Sequence, residues 1–531
     1  MNFRISDIVL VPGDSEQVLT QKIAFLLNIA PEDILSVKIV RKSIDARRNR
    51  QPYFVYIVDI SVGENIRLTP ENCKGVKIKP ILESQKPFCL AIKNKPQKKP
   101  VIIGCGPAGL FAALALMERG IPSVLLERGK PVPERVSDVN AFWENGVLNT
   151  ESNVHFGEGG AGTFSDGKLT SRARNPNTVR IKKTLVDAGA SSDILTSAKP
   201  HIGTDRLRKV VVNLRTRLTE MGCEMHFQSH VTDFMTIQGK VKGVVVNGKK
   251  EIKTDHVILA IGQSADDTYL KLNECGVCLA PKPFAIGLRV EHPQALINRI
   301  QYGKWHDHPD LPPAEYFMTA KLSAINRSVY TFCMCPGGVV IGCSPVAGTV
   351  VTNGMSDYNR DGYFANAAVV VNVSPWDFMD VGDTAFMGLE FRRRWEQKAF
   401  NMGGKNYHAP AQRLIDFLEN SEGRLPDATS FLPGLKSAPL RETLPRFAIE
   451  ALCLAFYQFE RKMRGFITED AVLIGVETRT SSPVRILRHP DGQSVSTSGL
   501  YPCGEGAGYA GGIISSALDG IRAAESLLSW V

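Results

Sequence analysis

The stretch from Val101 to Glu127 constrains the fold of this 531-residue chain more than any other. It reads VIIGCGPAGLFAALALMERGIPSVLLE. A β-branched run of strand length leads into a glycine turn, an Ala/Leu-rich helix over Leu110–Arg119, and a second strand, Ser123–Leu126, that ends in an acid. Strand, helix and strand in this order predict a β-α-β unit carrying the G-x-G-x-x-G fingerprint of a dinucleotide site. Gly104 permits the tight turn, Gly106 lets backbone approach a pyrophosphate, and Gly109 lets helix and strand pack closely. Pro107 and Ala108 lie in the turn, and the N-terminus of the helix that follows offers free N–H groups and a positive dipole end that suit phosphates. Glu127 is spaced to accept from ribose hydroxyls, which disfavours NADP and leaves FAD and NAD open.

The length allows two or three domains with their own cores. No segment approaches the ~18 apolar residues of a membrane span, and the N-terminus lacks the pattern of a signal peptide. Eleven scattered cysteines in a long chain point to reduced thiols and a cytoplasmic location. The net charge is +9, and residues 1–100 hold 17 Lys and Arg against 10 Asp and Glu, so +7 of it lies there. The basic residues concentrate at Lys38, Arg41, Lys42, Arg47, Arg48 and Arg50, and again at Lys93, Lys95, Lys98 and Lys99. A solvated face with a basic linker explains them; docking of nucleic acid is the alternative, without an RNA-binding signature to support it.

Along the chain, Phe3–Val11, Ile34–Lys42 and Pro52–Val62 read as strands, with a helix opened by Ser15 and running to Leu27. After Glu127 comes a helix over Glu134–Leu148. Then Gly157, Gly159, Gly160, Gly162 and Gly167 crowd into one run, with Thr163 among them, a composition that opposes both helix and strand and suits close backbone approach to a flat or phosphorylated ligand. Lys168, Thr170, Ser171, Arg172 and Arg174 follow as donors to an anion or ring carbonyl. Asp205–Gly222 has helical spacing, Glu224–Phe234 reads as one strand, and Asp255–Gln263 as a buried strand that carries Ala260 and Gly262 past the nucleotide. Arg446–Met463 reads as an amphipathic helix. Near the end, GLYPCGEGAGYAGGI (499–513) and a helix over Ser515–Trp530 repeat the strand, glycine turn and helix N-terminus.

The fingerprint, the Ala-Ile-Gly strand end and the C-terminal glycine element together resemble the FAD-binding fold of the glutathione-reductase type. GEGGAGTFSDGKLTSR (157–172), KPFAIGLRVEHPQ (282–294), TFCMCPGGVV (331–340) and GVETRTSSPVRI (475–486) resemble one bacterial family, the FAD-dependent dehydrogenases also called NAD(FAD)-utilising dehydrogenases. The resemblance implies an α/β architecture: a Rossmann-like FAD-binding domain in two segments (100–274 and 486–531) and an inserted α+β substrate or cap domain (275–485). A small basic α+β domain (1–85) and a linker (86–99) precede them. It implies FAD as the resident cofactor. Gly104, Gly106, Pro107, Ala108, Gly109, Glu127 and Arg128 then look like contacts to the AMP half, and Val231 like a backbone contact to adenine. Gly160, Gly162 and Thr163 look like contacts nearer the flavin. Gly504, Glu505, Gly511, Gly512 and Ile513 would face the pyrophosphate, ribityl chain and pyrimidine edge.

The expected reaction is hydride exchange between flavin N5 and a small molecule. A second dinucleotide unit is absent from the sequence, so NADH or NADPH would act as a transient electron donor. The alternative is a tRNA-associated flavoprotein docking through its basic N-terminal region. Catalytic candidates are Lys282, Arg289 and His292 on one predicted strand, and Arg479 and Arg485 around Ser481–Pro483. Cys275 and Cys278 form a C-x-x-C, and Cys333 and Cys335 alternate on a strand; packing is the favoured reading of both pairs, and no metal set is expected. Oligomeric state is left open.

Overall fold

A computed structural model describes residues 1–47, 50–68, 75–81, 95–171, 175–381 and 384–530. Most of the expected linker lies outside them, as do Arg48, Lys93, Arg172 and Arg174. The fold is mixed α/β.

The glycine fingerprint belongs to a five-stranded sheet with the order Leu500–Pro502, Val257–Leu259, Val101–Ile103, Val124–Leu126, Glu224–His226. Every neighbouring pair is parallel. The three inner strands are wholly apolar, as suits a parallel sheet covered on both faces. The helix Pro107–Met117 is buried on every side from Ala108 to Met117, which its Ala/Leu composition anticipates. It packs against the helix Ile513–Trp530, where Gly520 allows the closest approach: a Cβ there would lie 2.0 Å from the Ala108 carbonyl oxygen.

The run 224–234 is not one strand. Glu224–His226 joins the parallel sheet, whereas Val231–Ile237 pairs with Lys240–Val246 in a separate three-stranded antiparallel sheet. The break falls at Gln228, whose φ is +50°. Its amide donates to the Gly129 carbonyl at 2.9 Å and that of Ser229 to the Glu127 carbonyl at 2.8 Å. Hydrogen bonding to the end of the second fingerprint strand therefore overrides the local β propensity.

Residues from Phe284 to Glu477 supply the seven-stranded sheet, in the order Thr319–Leu322, Arg327–Cys335, Phe364–Val373, Phe284–Pro293, Val472–Glu477, Ala409–Arg413, Leu435–Ser437. Phe284, Ile286, Leu288 and Val290 enter one core with Phe456 and Phe459 of the helix Arg446–Lys462. The N-terminal region is a four-stranded antiparallel sheet in the order Ile34–Asp45, Tyr53–Val62, Asn2–Leu10, Lys77–Pro80. Ile23 and Leu27 of the helix Leu19–Leu27 enter its core. Several of its basic residues are paired: Lys42 with Glu16 at 2.7 Å and Arg47 with Asp45 at 2.6 Å. Among the described residues no helix is long and apolar enough to cross a membrane.

Candidate functional site

A cavity of about 390 Å³ lies where the parallel sheet meets the seven-stranded sheet, within the range of small-molecule and cofactor sites. Gly104, Gly106, Pro107 and Ala108 line it at the helix N-terminus. Gly104 has φ +101°, and a Cβ there would stand 2.3 Å from the Ala260 carbonyl oxygen. Gly109 is not at the wall; it packs under the turn, where a Cβ would lie 1.9 Å from the Gly104 oxygen.

Glu127 is buried and lines the cavity. Its Oε2 accepts from the Cys105 amide at 2.8 Å, and its Oε1 from the amides of Gly129 at 3.0 Å and Gly157 at 2.9 Å. The carboxylate thus ties the fingerprint turn to the second glycine run, a bracing role that the strand-end spacing alone did not reveal. Arg128 stacks on Phe156 at 4.2 Å and pairs with Glu151 at 2.8 Å and Asp267 at 2.9 Å. His230 bridges the same two acids at 3.5 and 3.3 Å. Arg128, Phe156 and His230 line the cavity together with Ser229 and Val231.

The second glycine run is pinned rather than loose. Arg135, fully buried, donates to the carbonyls of Asn153 at 2.8 Å, Val154 at 2.9 Å, Glu158 at 2.6 Å and Gly160 at 3.0 Å. A lone arginine on an amphipathic helix gave no sequence signal of this. Gly160 and Gly162 face the cavity, whereas Thr163 turns away and donates to the Glu158 carbonyl at 3.0 Å. Lys168 lies at the wall, 3.2 Å from Asp166 and donating to the Met334 carbonyl. Burial opposes the charge on Asp166, but Lys168 and Arg360 outweigh it and hold the carboxyl down at about 2.

From the C-terminal element, Gly504, Glu505, Gly511, Gly512 and Ile513 line the cavity, with Ala260 and Gly262 between them and the fingerprint. Gln263 Nε2 donates to Glu505 Oε1 at 3.2 Å and to the Arg479 carbonyl at 2.6 Å. Burial pushes the Glu505 carboxyl up to about 7. Arg479 also reaches the wall, its guanidinium held by Glu396 at 2.9 and 3.0 Å.

The opposite wall is made by Phe332 and Cys333 of Arg327–Cys335, Glu477 at the end of Val472–Glu477 with Thr480 just beyond it, and Asn353 of a two-stranded sheet formed by Val339–Gly342 and Thr352–Met355; Phe332, Asn353 and Thr480 were not read from the sequence. Arg289 lies behind it, fully buried and not lining the cavity. It donates to Glu477 at 3.0 and 3.2 Å, Asn366 at 2.7 Å, Asn353 at 3.2 Å and the Cys333 carbonyl at 3.3 Å. All five N–H groups are thereby used, so Arg289 braces the wall.

His292 is on the other face of the same strand, as an i, i+3 offset requires. It is fully buried, bonded to the Phe466 carbonyl at 2.8 Å, and its imidazole is pushed down to about 4 by burial. Lys282 and Arg485 are also off the cavity wall. Lys282 bonds to the Ser482 carbonyl at 3.3 Å, and its ammonium is pushed down by burial and by Arg485. Arg485 stacks on Tyr509 at 5.1 Å. Cys275 and Cys278 are likewise elsewhere, and Cys278 is exposed.

Comparison with known proteins matches residues 283–480 to a family model described as FAD-dependent protein, C-terminal domain-like, and residues 2–61 to a domain of unknown function (DUF8436). An uncharacterized protein of Clostridium beijerinckii is 43% identical over 534 residues, covering 99% of each chain. Among solved structures, the triple mutant of the flavin-dependent brominase Bmp2 covers 81% of this chain and 80% of its own, at 13% identity and TM-score 0.36. The FAD complex of CtdE covers 81% and 83% at 12% identity and TM-score 0.33. The glycerol-3-phosphate dehydrogenase of Bacillus halodurans, complexed with FAD, covers 83% and 65% at 12% identity and TM-score 0.35. Identity along essentially the whole of both chains places this protein in the same family as the clostridial one.

Proposed function

We propose that the cavity holds FAD and that the chain is an FAD-dependent oxidoreductase, exchanging a hydride with a small-molecule substrate. The observation that carries this reading is one cavity walled jointly by three distant glycine segments, at 104–106, 160–162 and 504–512, with two helix N-termini opening at it. A Cβ at Gly262, Gly511 or Gly512 would meet no protein atom within 4 Å, so backbone itself forms the wall and leaves room for a flat ligand. Gln263 Oε1 and His155 Nε2 are buried beside the cavity without protein partners; a buried polar group of this kind needs a partner, and a ligand with ring donors or acceptors, or a water, supplies one.

In this reading the amides at the start of Pro107–Met117 hold the pyrophosphate, and the end formed by Arg128, Ser229 and Val231 takes the adenosine. Glycines 511 and 512 and the wall around Cys333, Asn353 and Glu477 enclose the ring. Bound FAD supplies the two-electron chemistry. The chain supplies position, exclusion of water and proton transfer. Glu505, pushed up to about 7, holds or releases a proton at its carboxyl near neutrality, and Gln263 fixes its orientation. NADH or NADPH docks transiently at the open face as electron donor.

The test is to incubate the purified chain with FAD, desalt it, and analyse the heat-released supernatant. Stoichiometric FAD is expected, and none would overturn the cofactor reading. Anaerobic addition of NADH or NADPH should then bleach the flavin absorbance; no bleaching with either removes the nicotinamide role.

A further inference from the structure

The strand Arg327–Cys335 pairs regularly with Phe364–Val373 through Phe332 opposite Ala368, and then its register shifts before Cys335 meets Asn366. Cys333 occupies that irregularity with φ +46°. A left-handed conformation is unfavourable for a residue with a Cβ and persists only where its surroundings impose it; such residues cluster at functional sites. Here Arg289 holds the Cys333 carbonyl at 3.3 Å and Lys168 holds that of Met334.

The irregularity places Cys333 at the cavity wall and Cys335 fully buried behind it. Cys335 Sγ turns back toward its neighbour, 3.4 Å from the Cys333 carbonyl oxygen. Hydrogen bonding from Cys335, with Lys168 and Arg289 nearby, lowers the Cys333 thiol against the effect of burial, while Cys335 is raised. A cysteine at a cavity wall with a second thiol turned toward it from behind is the arrangement of an attacking and a resolving cysteine.

We infer that Cys333 and Cys335 form a dithiol that exchanges an electron pair with the cofactor in this cavity, an inference that rests on the FAD reading. In the oxidative direction the two sulfurs form an S–S bond and give up two electrons. FAD accepts both electrons, together with the proton of Cys335 and one from solvent, and becomes FADH2. In reverse, FADH2 breaks the S–S bond and returns the thiols. The pair is thus an electron store beside the flavin.

The test is anaerobic dithionite titration of the air-oxidised, FAD-loaded full chain. Wild type is expected to consume two equivalents per FAD, one for the flavin and one for the disulfide. Cys333→Ser and Cys335→Ser should each consume half as much, and Cys278→Ser, remote from the cavity, should match wild type. Independently, iodoacetamide labelling of the denatured wild-type chain should spare both cysteines when oxidised and modify both after reduction. A flavin-loaded wild type that consumes one equivalent, or whose oxidised form is labelled at both positions, overturns the inference alone. A chain that acquires no flavin spectrum overturns the FAD reading and the inference together.

Discussion

Arg289 and Glu477 face each other across two neighbouring strands, joined by two hydrogen bonds of 3.0 and 3.2 Å with both side chains buried. Glu477 lines the cavity and also accepts from Thr352 at 3.3 Å; Arg289 reaches past it to Asn353, Asn366 and the backbone of Cys333. The pair is the frame on which the far wall hangs. Removing one partner strands a buried charge, which costs about 3–5 kcal/mol. Arg289→Met is therefore expected to lose that much in urea denaturation of the apoprotein, and adding Glu477→Leu should restore much of it. Equal losses in single and double variants would show that the pair does not act as a unit.

Glu127 accepts from three backbone amides on three loops. In Glu127→Gln an NH2 group must face at least one of those N–H groups, leaving buried donors opposed at about 1–3 kcal/mol. The loops then lose their common anchor, and FAD affinity should fall by roughly 10- to 100-fold. Fluorescence titration of the apoprotein with FAD measures it; unchanged affinity would sink the bracing role.

Two glycines separate packing from ligand contact. Gly109→Ala places a methyl 1.9 Å from the Gly104 carbonyl oxygen and should destabilise the apoprotein strongly. Gly511→Val adds its side chain into open space, so thermal stability without ligand should stay within ~0.5 kcal/mol of wild type while FAD binding weakens at least tenfold. If Gly511→Val bound FAD normally, the C-terminal glycines would not be the cofactor wall.

Glu291 is buried with Ser430 as its hydrogen-bond partner, and burial pushes its carboxyl up to about 7. Its native pKa is raised above the unfolded value, so the fold favours the neutral acid. That contribution is full below the unfolded pKa, near 4.3, and is lost as pH rises through about 7. It amounts to at most ~4 kcal/mol, at 1.36 kcal/mol per pKa unit. Melting temperatures at pH 5, 6.5 and 8 should fall less steeply for Glu291→Gln than for wild type. Parallel curves would refute the assignment.

The glycine segments were legible because their chemistry is local: Gly104 and Gly106 mark a turn whatever lies around it, and Gly504–Ile513 repeats the pattern. The far wall was not. Whether Cys333 reaches the cavity depends on a register shift against Phe364–Val373, which no spacing within its own strand encodes. Arg289 and His292 look like one cluster in sequence yet occupy opposite faces of Phe284–Pro293. The break at Gln228 was equally hidden, because carbonyls of Gly129 and Glu127, about a hundred residues upstream, create it.

The strand Leu500–Pro502 completes the parallel sheet beside Val257–Leu259, about four hundred residues after Val101–Ile103 has been synthesised. Until then Val257–Leu259 presents an unpaired apolar edge, open to association with other chains. During vectorial synthesis the cavity therefore closes only after residue 500 has emerged. Translation pauses or truncations before residue 500 should yield aggregating products rather than a smaller flavoprotein, with the helix Ile513–Trp530 acting as the final clasp on Pro107–Met117.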